Sequence, residues 1–155
     1  MLSNKQRWDK NYSEGVKVED GIINYLTGKG WDLLERPEGK HPEWDIKVGN
    51  DKGRVETIEI KGDYTVYPNV VFEFWHNGKP SGIATSKADW YMIYFVKTNE
   101  LFTVKRSQVL EMFMTHPELW TLRKVNNPST EIETLTYGLS KENIKRIAFY
   151  KKVEI

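Results

Sequence analysis

The chain contains no cysteine. That excludes a disulfide framework, a thiol nucleophile and every zinc or iron–sulfur site built on thiolates, and it fits a reducing compartment. No apolar run approaches the roughly 20 residues of a membrane helix, and the opening Met1–Trp8 lacks the apolar stretch of a signal peptide. The expectation is an intracellular, cytoplasmic chain with no membrane contact. An excess of one charge is missing too. Lys and Arg total 23 against 22 Asp and Glu, a net charge of +1, so any polyanion site has to come from local clustering. There is no repeat, low-complexity tract or linker. Aromatic residues are not scarce: 6 Trp, 8 Tyr and 6 Phe in 155 residues indicate a packed core rather than a disordered chain, and the length favours one domain, 1–155.

The hydropathy pattern predicts a helix from Lys17 to Leu26, where Val18, Ile22 and Tyr25/Leu26 share a face. Gly28 and Gly30 end it, and Trp31–Glu35 resumes as a strand. After a loop from Pro37 to Pro42, the segments 44–48 and 55–61 alternate around Gly49–Gly53, which reads as a hairpin. Strands are expected at 69–75, 90–96 and 101–104, with a loop over His76–Gly82. Ser107 reads as the cap of a helix reaching Thr115. Strands at 121–125 and 133–137 and a short helix at 141–147, capped by Ser140, complete the pattern. The fold class is α/β or α+β with a mixed sheet.

Several chemistries are missing. Gly78-Lys79 runs into Pro80, so there is no phosphate-binding loop, and no dinucleotide fingerprint occurs. His41, His76 and His116 are not at metal-binding spacing, and no Gly-x-Ser-x-Gly elbow exists. The informative set is Asp45, Glu59 and Lys61. Alternation puts Glu59 and Lys61 on one strand face and Ile58 and Ile60 on the other. If Asp51, Lys52 and Gly53 form the turn, Asp45 falls opposite Glu59, about 4.5–5.5 Å away. Two close carboxylates disfavour each other's ionisation, and a divalent cation relieves this. Few hard oxygen ligands suit Mg²⁺, with the Ile60 carbonyl as a further oxygen, and such an ion activates water and stabilises phosphate charge. Lys61 would hold the water or the phosphate. The acid-x-Lys triplet occurs three times, at Glu38, Asp45 and Glu59. Only the third combines a strand, a hairpin partner and a following glycine. The plain alternative is a solvated hairpin face with a cross-strand salt bridge.

The stretch Pro42-Glu43-Trp44-Asp45 followed by Glu59-Ile60-Lys61 resembles the core of the PD-(D/E)XK nuclease superfamily. Gly15–Glu19 with Leu26 and Gly30-Trp31 is similar to the helix of its Holliday-junction-resolvase-like branch, which adds a glutamate. Gly78–Ile83 and Thr85–Trp90 resemble a segment of small phage-type members. The likeness covers residues 15 to 96; the nuclease core is drawn at about 15–104, with 105–155 a C-terminal elaboration. The resemblance implies a restriction-endonuclease-like core with a mixed sheet of four or five strands flanked by helices. It implies a Mg²⁺-dependent DNA endonuclease, with Mn²⁺ substituting, that leaves a 5′-phosphate and works as a homodimer, on branched, phage or mobile-element DNA. Asp45, Glu59, Glu19 and the Ile60 carbonyl would hold the metal, and Lys61 would position the water. Glu19 and Asp20 lie about 100° apart on a helix, so one alone can face the site; Glu19, beside Val18, is assigned. Glu73, between Phe72 and Phe74, belongs either to the acidic site or to solvent. Lys79, Ser86 and Lys87 are candidate phosphate contacts. The rival class is a non-catalytic DNA-binding or structural protein that kept the fold.

Overall fold

The computed structural model describes residues 1–39, 43–127 and 129–155. The elements in chain order are α1 (Asn4–Gly28), β1 (Trp31–Glu35), β2 (Ile46–Asn50), β3 (Val55–Asp63), β4 (Asn69–His76), β5 (Lys79–Pro80), β6 (Trp90–Phe95), β7 (Glu100–Lys105), α2 (Arg106–Thr115), β8 (Trp120–Asn127), β9 (Ile132–Ser140), α3 (Lys141–Ile144) and β10 (Phe149–Lys152). Single 3₁₀ turns lie at Gly82–Ala84 and Pro117–Leu119.

The α1 helix begins well before the expected Lys17. Its start is a capping box: the Gln6 N–H donates to Ser3 Oγ at 3.1 Å, and the Ser3 N–H donates to Gln6 Oε1 at 2.9 Å, which satisfies two orphan donors reciprocally. Its buried residues, Val18, Ile22 and Leu26, lie only in the second half. They pack on one face of a six-stranded sheet of order β1-β2-β3-β6-β7-β10, against Ile46, Val48, Ile58, Ile60, Met92 and Tyr94. Within this sheet β3 and β6 run parallel (Ile58↔Trp90, Glu59↔Tyr91, Lys61↔Ile93), and the other pairs are antiparallel.

The opposite face carries the larger core. Tyr91, Ile93 and Phe95 from β6 meet Phe102 and Val104 from β7, Val109 and Met112 from α2, and Val70 and Phe72 from β4. The last pair belongs to a second, wholly antiparallel sheet of order β5-β4-β9-β8. The α/β class with a mixed sheet and flanking helices is therefore present, but four or five strands in one sheet is corrected, among the described residues, to ten strands in two sheets. The layer packed on Tyr91 is largely the second sheet, which carries Phe72, rather than helix. The expected loop over His76–Gly82 is instead a hairpin: Asn77 and Gly78 have φ of 51° and 75°, the pair of positive angles that a two-residue type I′ turn requires. Residues 105–155 supply three further strands, and β10 occupies the edge of the six-stranded sheet.

Candidate active site

The β2–β3 hairpin turns on Asp51-Lys52-Gly53. The Asn50 N–H donates to the Arg54 carbonyl at 3.0 Å and the Gly53 N–H to the Asn50 carbonyl at 3.1 Å, while Gly53 supplies φ +76°. This turn length pairs Ile46 with Ile58, the last rung of the ladder; Asp45 lies just before β2. The Asp45 N–H donates to the Ile58 carbonyl at 2.9 Å. Beyond that point the side chain takes over: the Ile60 N–H donates to Asp45 Oδ2 at 2.7 Å. The carboxylate is thus held against β3 where β2 begins. The Ile60 carbonyl points to the same side as its N–H, as in any antiparallel ladder. Trp44 departs from the expected alternation. It is buried in the cluster of Phe72 and Phe95 instead of lying with Ile46, because it precedes the strand and is not bound by its pleat.

On β3, Ile58 and Ile60 are buried under α1, so Glu59 and Lys61 project from the other face. Lys61 Nζ lies 2.9 Å from Glu59 Oε1, with side-chain exposures of 57% and 16%. Desolvation works against the Lys61 ammonium, but the charge and hydrogen bond of Glu59, with Asp45 adding to them, hold its pKa above the ordinary lysine value. Lys61 is therefore a cation at neutral pH and acts as a hydrogen-bond donor, not as a base. Glu19 is half-buried and Asp20 exposed. Burial raises the Glu19 pKa, the Asp45 charge raises it further, and Arg36 opposes both. Arg36 lies 3.6 Å from Glu19 Oε2 and 2.7 Å from Asp20 Oδ1. The structure thus brings Glu19, Asp45, Glu59 and Lys61 into one electrostatic neighbourhood; Asp20 touches it through its own charge on Glu19 and through Arg36, but its side chain is exposed. Arg36 carries no signal in the sequence, because nothing local ties an arginine after β1 to α1. Pro42, the proline of the motif, lies outside the described residues.

Lys61 also lines a cavity of about 290 Å³ between the two sheets, together with Phe72, Glu73, Ile83, Tyr91 and Thr136. Glu73 therefore opens onto the same cleft as Lys61. Tyr91 is 3% exposed, yet its hydroxyl is more than filler. Burial raises its pKa, a hydrogen bond to Ser86 opposes the rise, and the Glu59 and Lys61 charges both reach it. The signal that links it to the site is the register Glu59↔Tyr91, which only the paired strands reveal. Gly82 walls the cleft at φ +55°. A Cβ there would stand 2.3 Å from the Glu73 carbonyl oxygen, so only glycine lets this turn press onto β4.

The three candidate phosphate contacts separate. Lys79 is exposed on β5. Lys87 is exposed but lies 3.0 Å from Glu43 Oε1. Ser86 is a correction: it is 5% exposed, and its hydroxyl donates to the Glu43 carbonyl at 3.2 Å and accepts from the Ala88 N–H at 3.2 Å, so it braces the turn before β6 and offers no surface to DNA.

Among the described residues no group of three or more His, Asp or Glu is arranged to hold a metal ion. Mg²⁺ commonly takes only one or two protein carboxylates and fills its shell with water and phosphate oxygens. Among the described residues no helix is long and apolar enough to cross a membrane. Compared with known proteins, the chain matches no family model, no curated protein and no solved structure. The nuclease resemblance therefore rests on the residues themselves.

Proposed function

We propose that the protein is a Mg²⁺-dependent DNA endonuclease with a PD-(D/E)XK-like site, acting in the cytoplasm and working as a homodimer because one chain offers one candidate catalytic set. The observation that supports this best is the junction of β2 and β3. There Asp45 is fixed beside Ile60 at 2.7 Å, its charge reaches Lys61, and Lys61 is paired to Glu59 at 2.9 Å. Asp45 and Glu59 would hold the metal, with the Ile60 carbonyl as a further oxygen and Glu19 reaching it through water. When bound, the ion would lower the pKa of a coordinated water and offset charge on the scissile phosphate. Lys61, fully protonated, donates a hydrogen bond to the attacking water or to a phosphate oxygen and stabilises charge that builds there. Glu19, whose proton affinity is raised by burial and by Asp45, is the carboxylate best placed to accept a proton from that water. The rival reading, a non-catalytic DNA-binding protein, draws on the internal neutralisation of these charges by Arg36 and Lys61.

Plasmid cleavage with Mg²⁺, Mn²⁺ or EDTA decides between them. Wild type should nick DNA only with the metals. Asp45→Asn and Glu59→Gln should lower the rate by at least about 100-fold, and Lys61→Ala should lose cleavage while keeping metal affinity. Cutting in EDTA, or wild-type rates in both carboxylate variants, would sink the assignment; DNA binding without any cleavage would favour the rival.

A further inference from the structure

The α1 face of the six-stranded sheet is only partly covered. The helix lies over β1 and β3, and its last buried residue is Leu26. Past Leu26 a groove of about 650 Å³ crosses the sheet from β1 to β10, within the range of small-molecule sites. Its floor is apolar, made by Val48, Ile58 and Met92, and aromatic rings from Trp31, Trp90 and Phe149 border it. Phe149 is 73% exposed, and its ring centroid lies 6.2 Å from that of Trp90 at 34° between planes. Phe149 pairs with Thr103, which keeps both on this face, away from Glu59 and Lys61.

The charge of the groove is one-sided. Arg54 is neutralised by Glu56 at 2.6 Å. Lys105 and Arg146 form no ion pair among the described residues, and Lys105 Nζ stands 5.5 Å from the Trp90 ring centroid. Two cations unpaired among the described residues, beside the exposed Phe149 ring and the half-buried Trp90 ring, complement a flat ring joined to an anionic group. A fatty chain would pack on the floor and rings without using ring stacking, and a bare phosphate would leave the apolar floor uncovered. Thr103 and Gln108, also in the lining, offer hydrogen bonds to the edge of a ring.

We infer that this groove binds one nucleotide, with the base against Trp90 and Phe149 and the phosphate on Lys105 and Arg146. It does not depend on the cleavage reading, since its residues lie on the other face of the sheet. The nucleotide has two sources, a free mononucleotide or an unpaired end of a nucleic acid strand.

Calorimetric titration of the full chain with 5′-dTMP, thymidine and the trinucleotide dT3 tests this. dTMP should bind, and thymidine should bind roughly tenfold more weakly. Phe149→Ala, whose ring is too exposed to be needed for folding, should weaken dTMP roughly tenfold through lost stacking. Lys105→Ala with Arg146→Ala should bind dTMP and thymidine alike. Tighter binding of dT3 than of dTMP identifies a strand as the source, and equal binding identifies the free nucleotide. Asp45→Asn should bind dTMP as wild type does. The proposal is overturned if neither dTMP nor dT3 binds, if the Phe149 and Lys105/Arg146 variants bind unchanged, if Asp45→Asn abolishes binding, or if an acidic aromatic peptide binds through these residues and nucleotides do not.

Discussion

Glu19 opposes folding at neutral pH. Burial and the Asp45 charge raise the pKa of Glu19 in the folded state. For a carboxyl group raised in this way, the stabilising contribution is present below its unfolded pKa and lost as pH rises through the folded value, so the ionised form is the disfavoured one. Glu19→Gln should therefore leave Tm unchanged or higher while metal-supported cleavage falls. Asp20→Asn, which loses the 2.7 Å contact with Arg36, should lower stability by no more than about 1 kcal/mol and keep activity. Thermal melts and nicking assays on the two variants check both halves, and equal activity would remove Glu19 from the site. The β2–β3 register is legible in the sequence because Gly53 fixes the turn length and strand alternation does the rest; the expected pairing of Asp45 with Glu59 lies beyond that ladder, since Asp45 precedes β2 and its N–H bonds the Ile58 carbonyl. Trp44 and Ser86 are not legible in this way. Each lies just outside a strand, where no periodicity constrains the side chain, and long-range packing decides its burial.

The β7, α3 and β10 elements are pinned together by Glu100. Its Oε1 accepts from Lys141 Nζ at 2.7 Å and from Thr98 Oγ1 at 2.6 Å, and its Oε2 accepts from the Tyr150 hydroxyl at 3.0 Å. The Lys141 ammonium also lies 3.9 Å from the Phe95 ring centroid. Burial alone would raise the Glu100 pKa; the hydrogen bonds from Lys141, Thr98 and Tyr150, with the lysine charge, outweigh it and lower the value to about 2. A depressed carboxylate stabilises the fold above its unfolded pKa of about 4.5, and that contribution drains away as pH falls toward about 2; it amounts to at most about 3 kcal/mol. Urea titrations from pH 7 to 3 should show this loss in wild type and a flatter profile in Glu100→Gln, which should itself be about 2 kcal/mol less stable at pH 7. No sequence signal announces β10. Phe149–Lys152 is four residues long and exposed throughout, so it has no buried face to print an alternation. The first turns of α1 are hidden for a related reason: they bury nothing, and only the Ser3–Gln6 spacing marks their start. Ser107 misleads in the other direction. The helix begins at Arg106 after Lys105, with no side-chain cap, because the chain enters it directly from β7.

At the scale of the molecule, a net charge of +1 leaves DNA affinity to a few local cations. Lys79→Ala should reduce the salt slope of log K by about 0.9 for a lost duplex phosphate contact. Lys87→Ala should reduce it less, because its ammonium already sits on Glu43. Binding titrations across a salt series compare them, and slopes parallel to wild type would remove both lysines from the interface. The second sheet is the least legible part of the architecture. Its strands are recognisable one by one, but membership in a separate sheet is fixed by pairings such as Phe72↔Tyr137, which local patterns do not encode. The parallel β3–β6 pair has a kinetic consequence. Its strands cannot zip from a tight turn; residues 64–89, including β4, must first be gathered, and β4 in turn waits for β9. The β2–β3 and β6–β7 hairpins close over short loops and should form earlier. Pulsed hydrogen exchange during refolding should protect Val48 and Phe102 before Val70 and Leu139, and simultaneous protection would exclude this order. The walls around Lys61 would then be the last region of the chain to acquire shape, so a nascent or stressed molecule passes through forms with ordered hairpins and no cleft.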